Sequence, residues 1–213
     1  MKCDPKDLLL YAVTDRHWLN GRTLVDVVKE SLDGGVTMIQ LREKSLDEGK
    51  FLEEAKELQA LCRERHVPFI VNDNVDIAKA MDADGVHVGQ DDMAALDARA
   101  KLGPDKLIGV SAHTVEEALL AEKQGADYLG VGAIYPTTTK VKTVLTSTDT
   151  LRDICKAVPI PVNAIGGLNK TNIDVLCGIP IAGICVVSAI MKADDPRRAA
   201  VDLRDRAKEL GIL

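Results

Sequence analysis

The sequence predicts a single (β/α)8 TIM barrel over residues 1–213, and three observations predict it. Eight short apolar runs alternate with stretches of helical periodicity, which is the pattern of repeated βα units. The runs are continuously apolar, as in parallel strands covered on both faces. Polar and charged residues gather after the runs, where a barrel carries its chemistry, while the residues before them are plainer. A chain of 213 residues sits at the lower end of the barrel range. The rival is a doubly wound open sheet. It usually has fewer strands, and no Gly-x-Gly-x-x-Gly follows the first run and no P-loop occurs.

The elements follow in order. Leu8–Thr14 reads as the first strand and Thr23–Leu32 as a helix with Leu24, Val27, Val28 and Leu32 on one stripe, ended by Gly34-Gly35. Val36–Arg42 is the second strand. Leu46–Arg65 is a long amphipathic helix on which Phe51, Leu52, Ala55, Leu58 and Cys62 recur at three and four. Strand Val67–Val71, helix Val75–Met81, strand Asp84–Val88 and helix Ala94–Leu102 come next, the last stopped by Gly103-Pro104. Leu107–Val110 is the fifth strand. Thr114 caps a helix over Val115–Gln124, with Glu117 placed as in a capping box and Gly125 closing it. Asp127–Val131 is the sixth strand, followed by a long polar loop, Tyr135–Asp149. Helix Leu151–Ala157, strand Ile160–Ile165, helix Lys170–Cys177, strand Ile181–Val187 and a closing helix Pro196–Leu210 complete the chain.

Composition narrows the function. The chain is 46% apolar and 28% charged with a net charge of −6, and it has no basic stripe, so a nucleic-acid partner is not expected. Charges or glycines interrupt every apolar stretch, so no membrane partner is expected either. The N-terminus reads as neither a signal nor a transit peptide. Five scattered cysteines without a Cys-x-x-Cys suit a reducing cytoplasm. The expected partners are small-molecule substrates, and a homo-oligomer stays open.

The residues that end the strands carry the candidate chemistry. Val36–Lys44 starts as a strand and places Gln40, Arg42 and Lys44 on one face, an amide and two cations suited to an anion; a strand running into a solvated turn is the alternative. Gly166-Gly167 and Val187-Ser188 follow strands seven and eight, where glycine-rich turns commonly cradle phosphate, though a tight turn alone would also account for the glycines. Asp73 and Asp92 end adjacent strands and could share Mg²⁺, or be solvated loop acids. Lys140 could join that rim or be a surface lysine. His87 and His113 fit structural hydrogen-bonding roles better than a general base, and Cys185 reads as core.

These motifs also resemble a known family. Tyr11-Ala-Val-Thr-Asp15, Gln40-Leu-Arg-Glu-Lys44, Val71-Asn-Asp73, Asp84-Gly-Val-His-Val-Gly-Gln-Asp-Asp92, Gly109-Val-Ser-Ala-His-Thr114, Ala126-Asp-Tyr-Leu-Gly-Val-Gly132, Tyr135-Pro-Thr-x-Thr-Lys140, Ala164-Ile-Gly-Gly167 and Ser188-Ala-Ile190 closely resemble the thiamine phosphate synthase family, in order and over nearly the whole chain. The resemblance implies condensation of 4-amino-5-hydroxymethyl-2-methylpyrimidine diphosphate with 4-methyl-5-(2-phosphoethyl)thiazole, with Mg²⁺ as cofactor. It implies that Gln40, Arg42, Lys44 and Asn72 hold the pyrimidine diphosphate and that Asp73 and Asp92 bind the metal. Ser111 and Lys140 would contact the diphosphate and the reacting region. Thr137, Thr139, Gly167, Val187 and Ser188 would hold the thiazole phosphate. Arg42, Lys44, Ser111 and Lys140 are the implied catalytic set.

The implied chemistry needs no protein nucleophile, and none is evident. The carbon–oxygen bond to diphosphate breaks, the aminopyrimidine delocalises the cation, and the thiazole nitrogen attacks. Closure of the Tyr135–Asp149 loop would keep water from the cation. Two departures stand out: no glycine follows Lys140 before the next helix, and Gly178-Ile-Pro-Ile-Ala-Gly183 replaces the family's Gly-Ala-Asp-Gly before strand eight, a packing variant. A thiazole tautomerase on the same barrel would not need the Gln40–Lys44 and Asp73/Asp92 sets together. A non-catalytic phosphate sensor would have lost some of them.

Overall fold

A computed structural model describes residues 3–43, 48–137 and 143–212. Eight parallel strands close into a barrel in sequence order: β1 (Leu10–Val13), β2 (Met38–Leu41), β3 (Phe69–Asn72), β4 (Gly85–Val88), β5 (Leu107–Ala112), β6 (Tyr128–Val131), β7 (Val162–Ile165) and β8 (Gly183–Val186). The expected TIM barrel is the observed one, with β8 pairing β1 through Leu10↔Ile184 and Ala12↔Val186.

Side-chain alternation sorts the strands into two layers. Leu10, Ala12, Ile39, Leu41, Phe69, Val71, Ile108, Val110, Leu129 and Ile184 face outward into a core shared with the helices. Tyr11, Val13, Met38, Ile70, Leu107, Tyr128 and Cys185 face inward and form a separate cluster with Cys3 and Leu8. Leu8 comes from a 3-10 turn, Pro5–Leu8, that closes the bottom of the barrel. Its carbonyl accepts the buried Asn163 side-chain amide at 2.9 Å. Gly183 lies under this plug, where a Cβ would overlap the Leu8 carbonyl oxygen.

The helices are α1 (Leu24–Asp33), α2 (Glu48–Glu64), α3 (Val75–Ala80), α4 (Ala95–Leu102), α5 (Val115–Lys123), α6 (Thr148–Ala157), α7 (Ser188–Met191) and α8 (Pro196–Glu209). The caps follow side-chain chemistry. Thr23, Asn74, Thr114, Ser147 and Asp195 each accept a backbone N–H from the first turn of their helix. The expected capping box at α5 forms one residue wider: Thr114 accepts from the Glu117 amide, and Glu117 reaches back to the His113 amide at 2.6 Å.

Three expectations need correction. The helix expected over Lys170–Cys177 is only a 3-10 turn, Ile173–Leu176. Asn169 and Asn172 side chains accept the amides of Thr171 and Asn169, local bonds that compete with a helix. Helix α7 was not expected; it starts directly after β8, where the Val187 carbonyl accepts the amides of Ile190 and Met191. Helix α6 begins at Thr148 instead of Leu151 because Ser147 caps it. The end of the loop before it is tied back to β6: the Ala133 amide donates to Val144 O, and the Thr146 amide donates to Ala133 O.

The departure before β8 also has a structural meaning. Asp84 accepts the Phe69 amide at the foot of β3, and Asp127 accepts the Ile108 amide at the foot of β5, each at 2.8 Å. By register the matching pair at β7 is Val162 with Ala182, and alanine has no acceptor to offer. The missing carboxylate removes a strand-to-strand tie at the closed end of the barrel, far from the mouth.

Candidate active site

Parallel strands in a closed barrel bring all eight C-terminal ends to one rim. Arg42 follows β2, Asp73 follows β3, Gly89–Asp92 follows β4, Ser111 lies near the end of β5, Gly132–Thr137 follows β6, Gly166-Gly167 follows β7 and Val187 follows β8. Arg42, Asn72, Asp73, Asp92, Ser111, Thr137, Gly167, Val187 and Ser188 are therefore all contributed to this rim, with Gln40 on the inner face just beneath it. Lys44, Thr139 and Lys140 lie outside the described residues.

The acidic and basic groups at β1 and β2 hold each other in place. Thr14 clips the two strand ends, its hydroxyl accepting the Arg42 amide at 3.0 Å. Arg42 Nη1 donates to Asp15 Oδ2 at 3.0 Å, with both side chains largely sheltered. Arg16 donates to Glu43 Oε2 at 2.8 Å and to Glu54 Oε2 at 2.5 Å, linking the rim to α2. Burial opposes the Arg16 charge, but the two carboxylates outweigh it and its pKa is raised. Sequence reasoning missed both ion pairs. The available signal was the opposite charge of Asp15-Arg16 and Arg42-Glu43 on adjacent strands.

The carboxylates of β3 and β4 sit on constrained backbone. Asp73 has φ +60°, a left-handed conformation costly for a non-glycine residue. Its Oδ1 accepts the Asn72 side-chain amide at 2.6 Å, and its backbone amide donates to His87 O at 2.8 Å. Asp92 Oδ2 accepts the Gly89 amide at 2.7 Å, which folds the β4 loop back on itself. Among the described residues no cluster of three or more His, Cys, Asp or Glu side chains could hold a metal. Two carboxylates are an all-oxygen donor set of the kind that suits a hard cation sharing its shell with water and phosphate.

On the opposite side, the β6 loop packs onto the β7 turn. The Ile134 and Tyr135 amides donate to Ile165 O and Gly166 O at 3.0 and 3.1 Å. A Cβ on Gly166 would overlap Ala133, and one on Gly167 would lie 2.7 Å from Tyr135 Cβ. These glycines permit close approach of two chains as well as positive φ. The Gly167 and Ser188 amides donate to no group among the described residues, which is the raw material of an anion cradle.

Beneath the rim, the inner face is polar. Gln40 is only 4% exposed and donates through Nε2 to Tyr11 OH at 2.6 Å. Tyr11 OH lies 3.0 Å from Tyr128 OH, which lies 3.2 Å from His87 Nδ1; His87 Nε2 lies 3.0 Å from Ser111 Oγ. The structural role expected for His87 is the observed one, and Cys185 is core as expected.

A family model described as thiamine monophosphate synthase matches residues 10–190. The chain belongs to the thiamine monophosphate synthase family. It is thus an enzyme of the transferase class, and its place is in thiamine biosynthesis. The thiamine-phosphate synthase of Clostridium tetani is 47% identical over 197 residues, covering 92% of this chain and 94% of that one. That of Clostridium botulinum is 44% identical over 207 residues and covers 97% of each. The solved thiamine phosphate pyrophosphorylase from Pyrococcus furiosus superposes with a TM-score of 0.88 at 42% identity, covering 97% of this chain and 98% of that one. No described helix is long and apolar enough to cross a membrane.

Proposed function

We propose that the rim binds 4-amino-5-hydroxymethyl-2-methylpyrimidine diphosphate and 4-methyl-5-(2-phosphoethyl)thiazole and joins them into thiamine phosphate with release of diphosphate. The observation that carries this reading is the arrival of Arg42, Asp73 and Asp92 at the ends of three consecutive strands, β2, β3 and β4. A cation and two carboxylates on neighbouring strand ends suit a metal–diphosphate better than either charge alone.

Arg42 holds the diphosphate and stabilises charge as the carbon–oxygen bond breaks, and Asp15 keeps its guanidinium aimed. Lys44 and Lys140 add cationic charge to the same group on the strength of their places in the sequence. Asn72 borders the pyrimidine side, and Gln40 closes the floor beneath it. Ser111 donates to the departing diphosphate. The Gly167, Val187 and Ser188 backbone, with Thr137 and Thr139, holds the thiazole phosphate and so sets its nitrogen in line with the pyrimidine carbon. Asp73 and Asp92 would hold Mg²⁺, which when bound neutralises charge on the leaving diphosphate. We place the enzyme in the cytoplasm, acting on these small molecules alone.

With Mg²⁺ present, the purified protein should release diphosphate only when both half-substrates are supplied. Conversion of the thiazole phosphate without diphosphate release would replace this reading with an isomerase. Asp92→Ala should lose turnover strongly yet remain folded; a near-normal rate would remove Asp92 from the metal site.

A further inference from the structure

We infer that Tyr11 and Tyr128 are positioning residues for Ser111: a one-way chain of buried hydrogen bonds fixes His87 as its neutral Nε2–H tautomer and turns the Ser111 hydroxyl proton toward the mouth. The reasoning is a count of protons. Gln40 Nε2 donates to Tyr11 OH at 2.6 Å. A phenol has a single proton, so Tyr11 donates its one hydrogen bond to the Tyr128 oxygen at 3.0 Å. Tyr128 then donates its hydrogen bond to His87 Nδ1 at 3.2 Å, which must present a lone pair. A neutral imidazole carries one N–H, here on Nε2, and it points at Ser111 Oγ at 3.0 Å. Ser111 accepts that bond, and its hydroxyl proton is available to an anionic oxygen above it.

The opposite polarity needs the Gln40 side chain turned over. If Ser111 donated to His87 and each group donated backward, the Tyr11 proton would meet the Gln40 N–H, donor against donor at 2.6 Å, unless that amide rotated to present its oxygen. The chain is sealed from water: Tyr11 is 1% exposed, Tyr128 0% and His87 8%. Burial pushes both phenols well above their ordinary range, so they keep their protons. Gly109 makes the link sterically allowed, since a Cβ there would overlap the Tyr128 ring end and His87 Nδ1.

The chain runs from β2 to β5 through β1, β6 and β4, so it joins Gln40 and Ser111 across the barrel interior. Its consequence for turnover rests on the proposed contact of Ser111 with the diphosphate; its proton order does not. Nitrogen-15 NMR of histidine-labelled, ligand-free protein at pH 7 tests that order directly, with His87→Asn assigning the signal. His87 should appear as the Nε2–H tautomer, and Tyr128→Phe should mix the two tautomers. An Nδ1–H form or an imidazolium in the native protein, or a spectrum unmoved by Tyr128→Phe, would overturn the inference. Tyr11→Phe serves the same purpose if Tyr128→Phe does not fold.

In the assay with both substrates, Tyr128→Phe should lower kcat about tenfold with little change in KM. It should have no further effect in a Ser111→Ala background. Additive losses would show that Tyr128 acts by another route. A native protein that makes no thiamine phosphate would sink the functional reading while the NMR result still decides the chain.

Discussion

Ile108 and Gly109 are adjacent in β5 and face opposite sides of the barrel wall. Ile108 joins the aliphatic layer beneath the helices, where shape and volume are all that matter. Gly109 faces a Tyr–His pair whose hydrogen bonds occupy the space a side chain would need. The same contrast runs round the barrel. The outer layer is apolar and self-sufficient, while the inner layer mixes Tyr11, Gln40, Asn72, His87, Ser111 and Asn163 with glycines. A polar interior is costly unless each group is paired. Here nearly all are paired, and the pairs lead upward to the rim. Asn163 Oδ1 is a buried exception without a partner among the described residues.

Arg42 continues the inner register of Met38 and Gln40 into the mouth, so its loss should give the largest effect. Arg42→Ala should cut turnover about 10²–10³-fold, as expected for one preorganised electrostatic partner. Circular dichroism should show the fold retained. A rate within a few-fold of native would mean that the inner face does not deliver catalytic charge through this residue.

Gly109→Ala should come next. Its methyl group would collide with two members of the buried chain, and overpacking of this kind typically costs about 1–3 kcal/mol. Chemical denaturation would measure that cost, and turnover should fall as well because Ser111 loses its fixed partner. A variant as stable and as active as the native enzyme would show the inner layer to be looser than the bonds imply.

The outer layer was the readable part of the sequence. Continuous apolar runs such as Leu107–Val110 fixed the strands, and the rim could be inferred because Arg42 and Asp73 come at the ends of such runs and Asp92 lies in the short loop after another. The inner chain was harder to read. Tyr11 and Tyr128 lie in apolar runs, and only the closed barrel brings β1 and β6 face to face, with ring centroids 6.0 Å apart. The signal available was chemical: a tyrosine inside a buried strand needs a partner for its hydroxyl. The helix expected at Lys170–Cys177 failed for a local reason, since asparagines 169 and 172 spend their side chains on nearby amides.

Ile108→Val sharpens the comparison from the other side. It removes one methyl group from a fully buried outer position, a change that typically costs about 0.5–1.5 kcal/mol. Turnover with both substrates should stay at the native level, because nothing polar depends on Ile108. A rate loss comparable to that of Gly109→Ala would mean that outer-layer packing sets the inner geometry, and the two layers could not be treated separately.

The smallest effect should come from the thiols, which sample both layers. Cys177 is exposed, whereas Cys185 lines the inner face and Cys62 is buried on the core-facing side of α2. The thiolate is the reactive form. Burial pushes Cys62 up to about 12 and Cys155 to about 11, and it raises Cys185 further still, so at pH 8 these groups are almost wholly protonated. Iodoacetamide should therefore modify Cys177 first in the folded protein, with no change in turnover or melting temperature, and all five thiols only in denaturant. Cys185 sits beside Tyr11 in the register of β8 with β1. Its early modification in the native state would mean that the barrel interior opens to solvent on the labelling timescale, and a proton order fixed by burial could not then persist there.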